Sequence, residues 1–158
     1  MVKLLLAGTG LIGHRHMQHI LEHPDLELVG VIDPLITDEK IEGVKTYHSL
    51  NDVNNVAEGI ILATPTETHA DLTIQSLEMG LHVLVEKPVA ASLPEADKMI
   101  RASEKTGLSI LVGHHRRHHP LVNETINILK SGKIGRPVAA SLMWLMRKQD
   151  AVSYTHLT

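Results

Sequence analysis

The sequence predicts an α/β fold: a doubly wound, mostly parallel sheet with helices on both faces. Three observations carry that expectation. Apolar runs of strand length alternate with helical stretches along the chain. The cluster Gly8-Thr9-Gly10-Leu11-Ile12-Gly13 separates the first such run from the first helical stretch. The least ordinary residues follow strand ends, where ligands bind in sheets of this kind.

Taken in order, Val2 to Ala7 is a short apolar run of strand length. After the glycines, Leu11, Ile12, Ile20 and Leu21 recur at helical spacing, and the helix should stop before Pro24. Leu26 to Ile32 forms the second strand and closes on Asp33. Asp33 to Gly43 is polar and reads as a loop with a short helical piece, and Val44 to Tyr47 as a brief strand. Ser49 and Asp52 have capping-box spacing and open a short helix. Gly59 to Ala63 is a buried strand expected beside the first, followed by Thr64-Pro65-Thr66. A helix runs from about Glu67 to Met79, with Thr66 or Thr68 as cap, and stops at Gly80. Leu81 to Glu86 is the next strand. Ser92 and Glu95 repeat the capping-box spacing; their helix carries Ala96, Met99, Ile100 and Ser103 on one face and ends at Gly107. Leu108 to Val112 is a further strand. Pro120 suits the first turn of a helix that runs to Lys130 and ends at Gly132, and Pro137 to Met146 reads as a last extended run.

The glycine cluster has chemistry that explains its residue types. Gly8 permits a tight turn out of the strand, Gly10 lets the backbone approach a pyrophosphate, and Gly13 lets the helix pack close to the strand. The amides of Thr9, Leu11 and Ile12 belong to the same turn, and the helix start offers free N–H donors to phosphate. Asp33, about 20 residues beyond the last glycine, is placed to accept hydrogen bonds from both hydroxyls of an adenosine ribose. It would repel a 2′-phosphate, which favours NAD over NADP. The plainer alternative is a glycine-rich turn in an ordinary α/β domain.

Composition narrows the classes. At 158 residues the chain fits a single domain with one good core, and with no Phe and one Trp that core must be aliphatic. A formal charge of −3 gives no nucleic-acid footprint. Zero cysteines exclude disulfides, thiolate metal sites and a thiol nucleophile, and suit a reducing cytoplasm. No stretch is long enough to span a bilayer, and the apolar opening leads into the glycine turn instead of a cleavage site.

The chain resembles the N-terminal half of a Gfo/Idh/MocA-family oxidoreductase. The matching motifs are Gly8-Thr-Gly-Leu-Ile-Gly-His-Arg-His16, Ala63-Thr-Pro-Thr-Glu-Thr-His69, Glu86-Lys-Pro88 and Val112-Gly-His-His-Arg-Arg-His-His-Pro120, in family order over roughly residues 2 to 146. The resemblance implies an NAD(P)-dependent dehydrogenase acting on a sugar, a cyclitol or a related polyol. It divides the chain into a dinucleotide-binding domain, residues 1–132, and the start of a truncated substrate domain, residues 133–158. The remainder of that second domain, with a large open sheet, a catalytic Asp and His, and the contacts of a homo-oligomer, is absent here. The resemblance thus implies NAD binding without turnover for this chain, and a sticky, unpaired edge around Leu142 to Met146. Residues 151–158 depart from the family pattern after Trp144 and read as a truncation scar or a sequencing artefact.

Lys87 is the catalytic candidate. A lysine at a strand end is ordinarily a solvated surface residue; by resemblance it reaches substrate and nicotinamide. An amine whose pKa is lowered by burial and by the nicotinium charge can relay the hydroxyl proton when hydride leaves a carbinol carbon. Pro88 is a candidate for a cis peptide that aims Lys87. Glu86 either orients Lys87 or the cofactor, or is a plain strand-end charge. Thr64, Pro65 and Thr66 serve as a helix entry and also as contacts to the nicotinamide ribose, whereas His69 reads as a packing or supporting residue. By resemblance Arg117 lies near cofactor or substrate. His115 and His119 have i,i+4 spacing, but their run begins as a strand end and holds no acid, so no metal site is expected. His14, His16, His19 and His23 belong mostly to the solvated side of the first helix, with His16 a candidate supporting residue. Two competing readings are a non-catalytic, redox-responsive NAD-binding module, which needs the glycines and Asp33 but no proton relay, and a plain structural α/β domain.

Overall fold

The computed structural model of the chain describes residues 1–54, 57–141 and 143. They fall into two compact units, Met1–His115 and Arg116–Thr158.

The first unit holds β1 (Val2–Ala7), α1 (Leu11–Glu22), β2 (Leu26–Ile32), β3 (Lys40–Ile41), β4 (Val44–Tyr47), β5 (Gly59–Leu62), α2 (His69–Glu78), β6 (His82–Val85), α3 (Leu93–Thr106) and β7 (Ile110–Val112). The strands form one sheet in the order β3-β4-β2-β1-β5-β6-β7. Every pairing is parallel except β3 with β4.

The central strands are buried on both faces, which is why they read as continuous apolar runs. Alternate residues of a strand point to opposite faces. Leu5, Ala7, Ile60 and Leu62 join Leu77 of α2 and Met99 of α3 in one core. Leu6, Val31 and Ile61 join Met17 and Ile20 of α1 in the other. Two cores, one on each side of the sheet, make the fold doubly wound, as the sequence predicts. Burying each such Leu or Ile contributes about 1.5–3 kcal/mol relative to exposure.

Four local expectations are corrected. The buried face of α1 is Gly13, Met17 and Ile20, whereas Leu11, Ile12 and Leu21 are exposed. Between Asp33 and Gly43 there is no helical piece: β3 folds back on β4 through Glu42 and Gly43, both at positive φ, the conformation a two-residue hairpin turn requires. On α3, Met99 is buried but Ile100 is 54% exposed, so the inner stripe turns toward Ala102 and Thr106. Ser92 does accept from the Glu95 N–H, but the Glu95 carboxylate accepts from Ala91 N–H, one residue before its expected partner. The box at Ser49 and Asp52 closes in both directions over a short 3-10 turn, Leu50–Asp52.

The second unit contains α4 (Pro120–Lys130), opened by Pro120 as expected and followed by Gly132 at φ +73°. Pro137 to Ser141 take no strand conformation. The rest of the expected extended run, apart from Met143, and residues 151–158 lie outside the described residues. Among the described residues no helix is long and apolar enough to cross a membrane.

Candidate functional site

Because β1, β2, β5, β6 and β7 run parallel, their carboxyl ends share one edge of the sheet. The chain moves from β1 outward to β2 and β4, then restarts at β5 on the other side of β1. The strand order therefore reverses between β1 and β5, and such a reversal opens a crevice. Gly8–Gly13, Asp33, Thr64–Thr66, Glu86–Pro88 and Gly113 all follow strand ends on that edge.

Two glycines are required by the protein itself. Gly8 sits at φ +91°, and a Cβ there would stand 2.5 Å from the Ala63 carbonyl oxygen. A Cβ on Gly13 would stand 1.9 Å from the Gly8 carbonyl oxygen, so α1 packs against the turn only because that side chain is missing. Gly10 differs. Its φ is −64°, which any residue adopts, and no atom lies within 4 Å of a Cβ built there. Its bareness leaves a cradle open beside the start of α1. That helix has no side-chain cap and no acid in its first turn. The first N–H groups of a helix lack partners within it, so the backbone of Leu11, Ile12 and Gly13 presents donors and a partial positive charge. The cradle and the uncapped helix start together fit a phosphate.

Asp33 closes β2 and reaches back to the glycine turn. Its Oδ2 accepts from the Thr9 hydroxyl at 2.6 Å and the Thr9 N–H at 2.9 Å; its Oδ1 accepts from the Leu35 N–H at 3.0 Å. Partial burial works against the charge, but the Thr9 hydroxyl, the Leu35 N–H and the Thr9 N–H outweigh it and hold the carboxyl below its ordinary value. Asp33 is therefore a carboxylate at neutral pH. Beside it a cavity of about 470 Å³ is lined by Ala7, Ile32, Pro34, Thr64, Pro65 and Leu72, among others. Pro34 and Leu72 carry no motif, and sequence reasoning passed over them; only the folded sheet brings them to this edge.

Thr64 and Pro65 enter a 3-10 turn, Thr66–Thr68, before α2. Neither Thr66 nor Thr68 caps the helix through its side chain. Instead the Thr68 hydroxyl donates to the Pro65 carbonyl at 2.8 Å, which stiffens the turn. His69 is 1% exposed; its Nδ1 is 2.8 Å from the Pro88 carbonyl oxygen and its Nε2 2.9 Å from that of Thr64. This buried ring thus bridges the loop after β5 to the loop after β6.

Glu86 ends β6 with its carboxylate half buried. Oε1 lies 2.9 Å from His16 Nε2 on α1, and Oε2 accepts from the Lys87 N–H at 3.3 Å. The Lys87–Pro88 peptide is cis. The Lys87 side chain is exposed and has no hydrogen-bond or ion-pair partner among the described residues. The burial expected of that amine is thus not supplied by the residues described. His14, His19 and His23 are exposed as expected, and only His16 turns inward.

Arg117 belongs to the second unit, exposed in a 3-10 turn, His115–His118. Its assignment to cofactor or substrate rests on resemblance. His119 caps α4, so His115 and His119 do not share an α-helical turn. Among the described residues no group of three or more His, Cys, Asp or Glu is placed to hold a metal ion.

Comparison with known proteins agrees with this layout. The model of the Gfo/Idh/MocA oxidoreductase family, NAD-binding Rossmann fold, matches residues 2–114. Scyllo-inositol 2-dehydrogenase (NAD(+)) of Bacillus subtilis is 31% identical, over 87% of this chain and 42% of its own length. The 4-carboxy-2-hydroxymuconate-6-semialdehyde dehydrogenase of a Sphingobium species is 30% identical, over 84% of this chain and 44% of its own. The crystal structure of the WlbA dehydrogenase from Bordetella pertussis, in complex with NADH and UDP-GlcNAcA, superposes with a TM-score of 0.79 at 28% identity, covering 85% of this chain and 41% of that one. The chain spans less than half the length of each of these relatives.

Proposed function

This chain belongs to the Gfo/Idh/MocA oxidoreductase family, and we propose that it is the nucleotide-binding part of a dehydrogenase that moves hydride between NAD and a sugar, cyclitol or related polyol. Gly10 carries the reading: no described residue needs a glycine there, and its open space fits the close approach of a ligand.

In this reading the turn Gly8–Gly13 and the first amides of α1 hold the diphosphate. Asp33 holds the adenosine ribose, and its charge disfavours the 2′-phosphate of NADP. The cavity beside Pro34 and Leu72 takes the adenine. Thr64, Pro65 and Thr66 contact the nicotinamide ribose, with His69 fixing their loop against that of Lys87. The bound nicotinamide supplies the hydride acceptor, or the donor in reduction.

Lys87 takes the proton that leaves the substrate hydroxyl and, in the reverse direction, returns it to the carbonyl oxygen. Glu86, held by His16, steadies the backbone on which Lys87 sits. Two relatives support the polyol class: one is a scyllo-inositol 2-dehydrogenase, and another was crystallised with NADH and a UDP-sugar acid. The whole protein is read as a homo-oligomer assembled through its substrate domain.

The test is Lys87→Met in the full-length protein with NAD and inositol-like polyols. NAD affinity should hold while turnover falls by about 10²–10⁴-fold. Unchanged turnover removes Lys87 from the chemistry, and a non-catalytic, redox-responsive binding module then becomes the better reading.

A further inference from the structure

Resting on the nucleotide-binding reading above, we infer that the Thr9 hydroxyl is the second acceptor for the adenosine-ribose diol, and that Thr9 and Asp33 select NAD as a pair.

The count of lone pairs leads there. An ionised carboxylate offers about four acceptor sites. In Asp33 three are occupied: Oδ2 takes the Thr9 hydroxyl and the Thr9 N–H, and Oδ1 takes the Leu35 N–H. One site, on Oδ1, is left. A ribose diol brings two O–H donors, so Asp33 cannot take both while it holds Thr9. The Thr9 hydroxyl is 2.6 Å from Oδ2 and donates its only proton there. Both of its lone pairs therefore remain for an incoming donor. The diol then binds with one hydroxyl on Asp33 Oδ1 and the other on Thr9 Oγ1.

The same arrangement would disfavour NADP in two ways. Charge is one, because Asp33 is ionised at neutral pH. The second is a mismatch of hydrogen-bonding sense. With its proton committed to Asp33, Thr9 presents only lone pairs, as does Oδ1. A 2′-phosphate is itself an acceptor, and neither Thr9 Oγ1 nor Asp33 Oδ1 has a proton to give it.

The experiment is calorimetric titration of NAD, and of its adenosine 2′-deoxy and 3′-deoxy analogues, into the wild-type protein, Thr9→Val and Thr9→Ser. Thr9→Val keeps the side-chain shape and removes the hydroxyl; it should weaken NAD binding about five- to tenfold, the worth of one hydrogen bond. Thr9→Ser should bind within about twofold of wild type, because its hydroxyl remains. For one of the two deoxy analogues, wild type and Thr9→Val should bind equally, since the donor that Thr9 accepts is already gone.

If Thr9→Val binds NAD as tightly as wild type or tighter, the hydroxyl merely competes with the ribose for Asp33 and the inference fails. Equal weakening for NAD and for both analogues also overturns it, because Thr9 then acts only by shaping the turn. Weak binding by Thr9→Ser does the same. A wild-type protein that gives no heat with NAD removes the nucleotide reading itself, and this inference with it.

Discussion

His16 on α1 meets Glu86 at the end of β6, Nε2 to Oε1 2.9 Å, across 70 positions of sequence. The contact joins the helix that follows the glycine turn to the loop that carries Lys87. Gly113 at the end of β7 makes room for it, because a Cβ there would stand 2.9 Å from the same Glu86 oxygen. Two strand ends and one helix thereby meet around one carboxylate.

That lock is measurable by a double-mutant cycle in urea. His16→Ala and Glu86→Ala should each destabilise by about 1 kcal/mol, and the double variant by little more than either alone. Simple additivity would mean that the contact contributes nothing.

The bridge through His69 is the more costly one to break. His69→Ala removes the buried ring that lies between the Thr64 and Pro88 carbonyls and leaves a cavity. A loss of about 2–4 kcal/mol should appear in the denaturation midpoint. A change within about 0.5 kcal/mol, the ordinary range for a surface site, would contradict the bridging role.

What could be read in the sequence was local. The strand, glycine turn, helix and second strand ending on Asp33 follow from periodicity and residue type within thirty-three positions. Gly80 and Gly107 mark helix ends because each adopts positive φ there. What could not be read was mostly long-range. Asp33 reaching back to Thr9, His69 spanning two carbonyls and Glu86 meeting His16 depend on which strands lie side by side. Ile100 falls outside the buried stripe because spacing fixes a stripe on α3 but not how far round it the neighbouring helix reaches. The hairpin at Glu42-Gly43 was legible in principle, since a glycine between two short β-prone runs is a turn signal.

Asp33 should show itself in acid. Burial opposes its charge, and the Thr9 hydroxyl, the Leu35 N–H and the Thr9 N–H overcome it, so its folded pKa lies below the unfolded value of 3.8. A depressed carboxyl contributes stability that is complete above its unfolded pKa and is lost as pH falls through the folded one. The stability difference between wild type and Asp33→Asn should therefore stay level from neutrality to about pH 5 and shrink below that. A difference that grows on acidification would reverse the sign and contradict the assignment.

Two glycines in the same turn should respond in opposite ways. Gly13→Ala drives a Cβ into the Gly8 carbonyl and should cost about 3 kcal/mol or more, because neither backbone can yield. Gly10→Ala meets no protein atom and should hold stability within about 1 kcal/mol.

Calorimetric titration of NADH into wild type and Gly10→Ala, alongside their urea midpoints, tests the nucleotide cradle most directly. The expected result is binding by wild type, a loss of about tenfold or more in Gly10→Ala, and midpoints that barely differ. Equal affinity in the two proteins, or no heat from wild type, would contradict it.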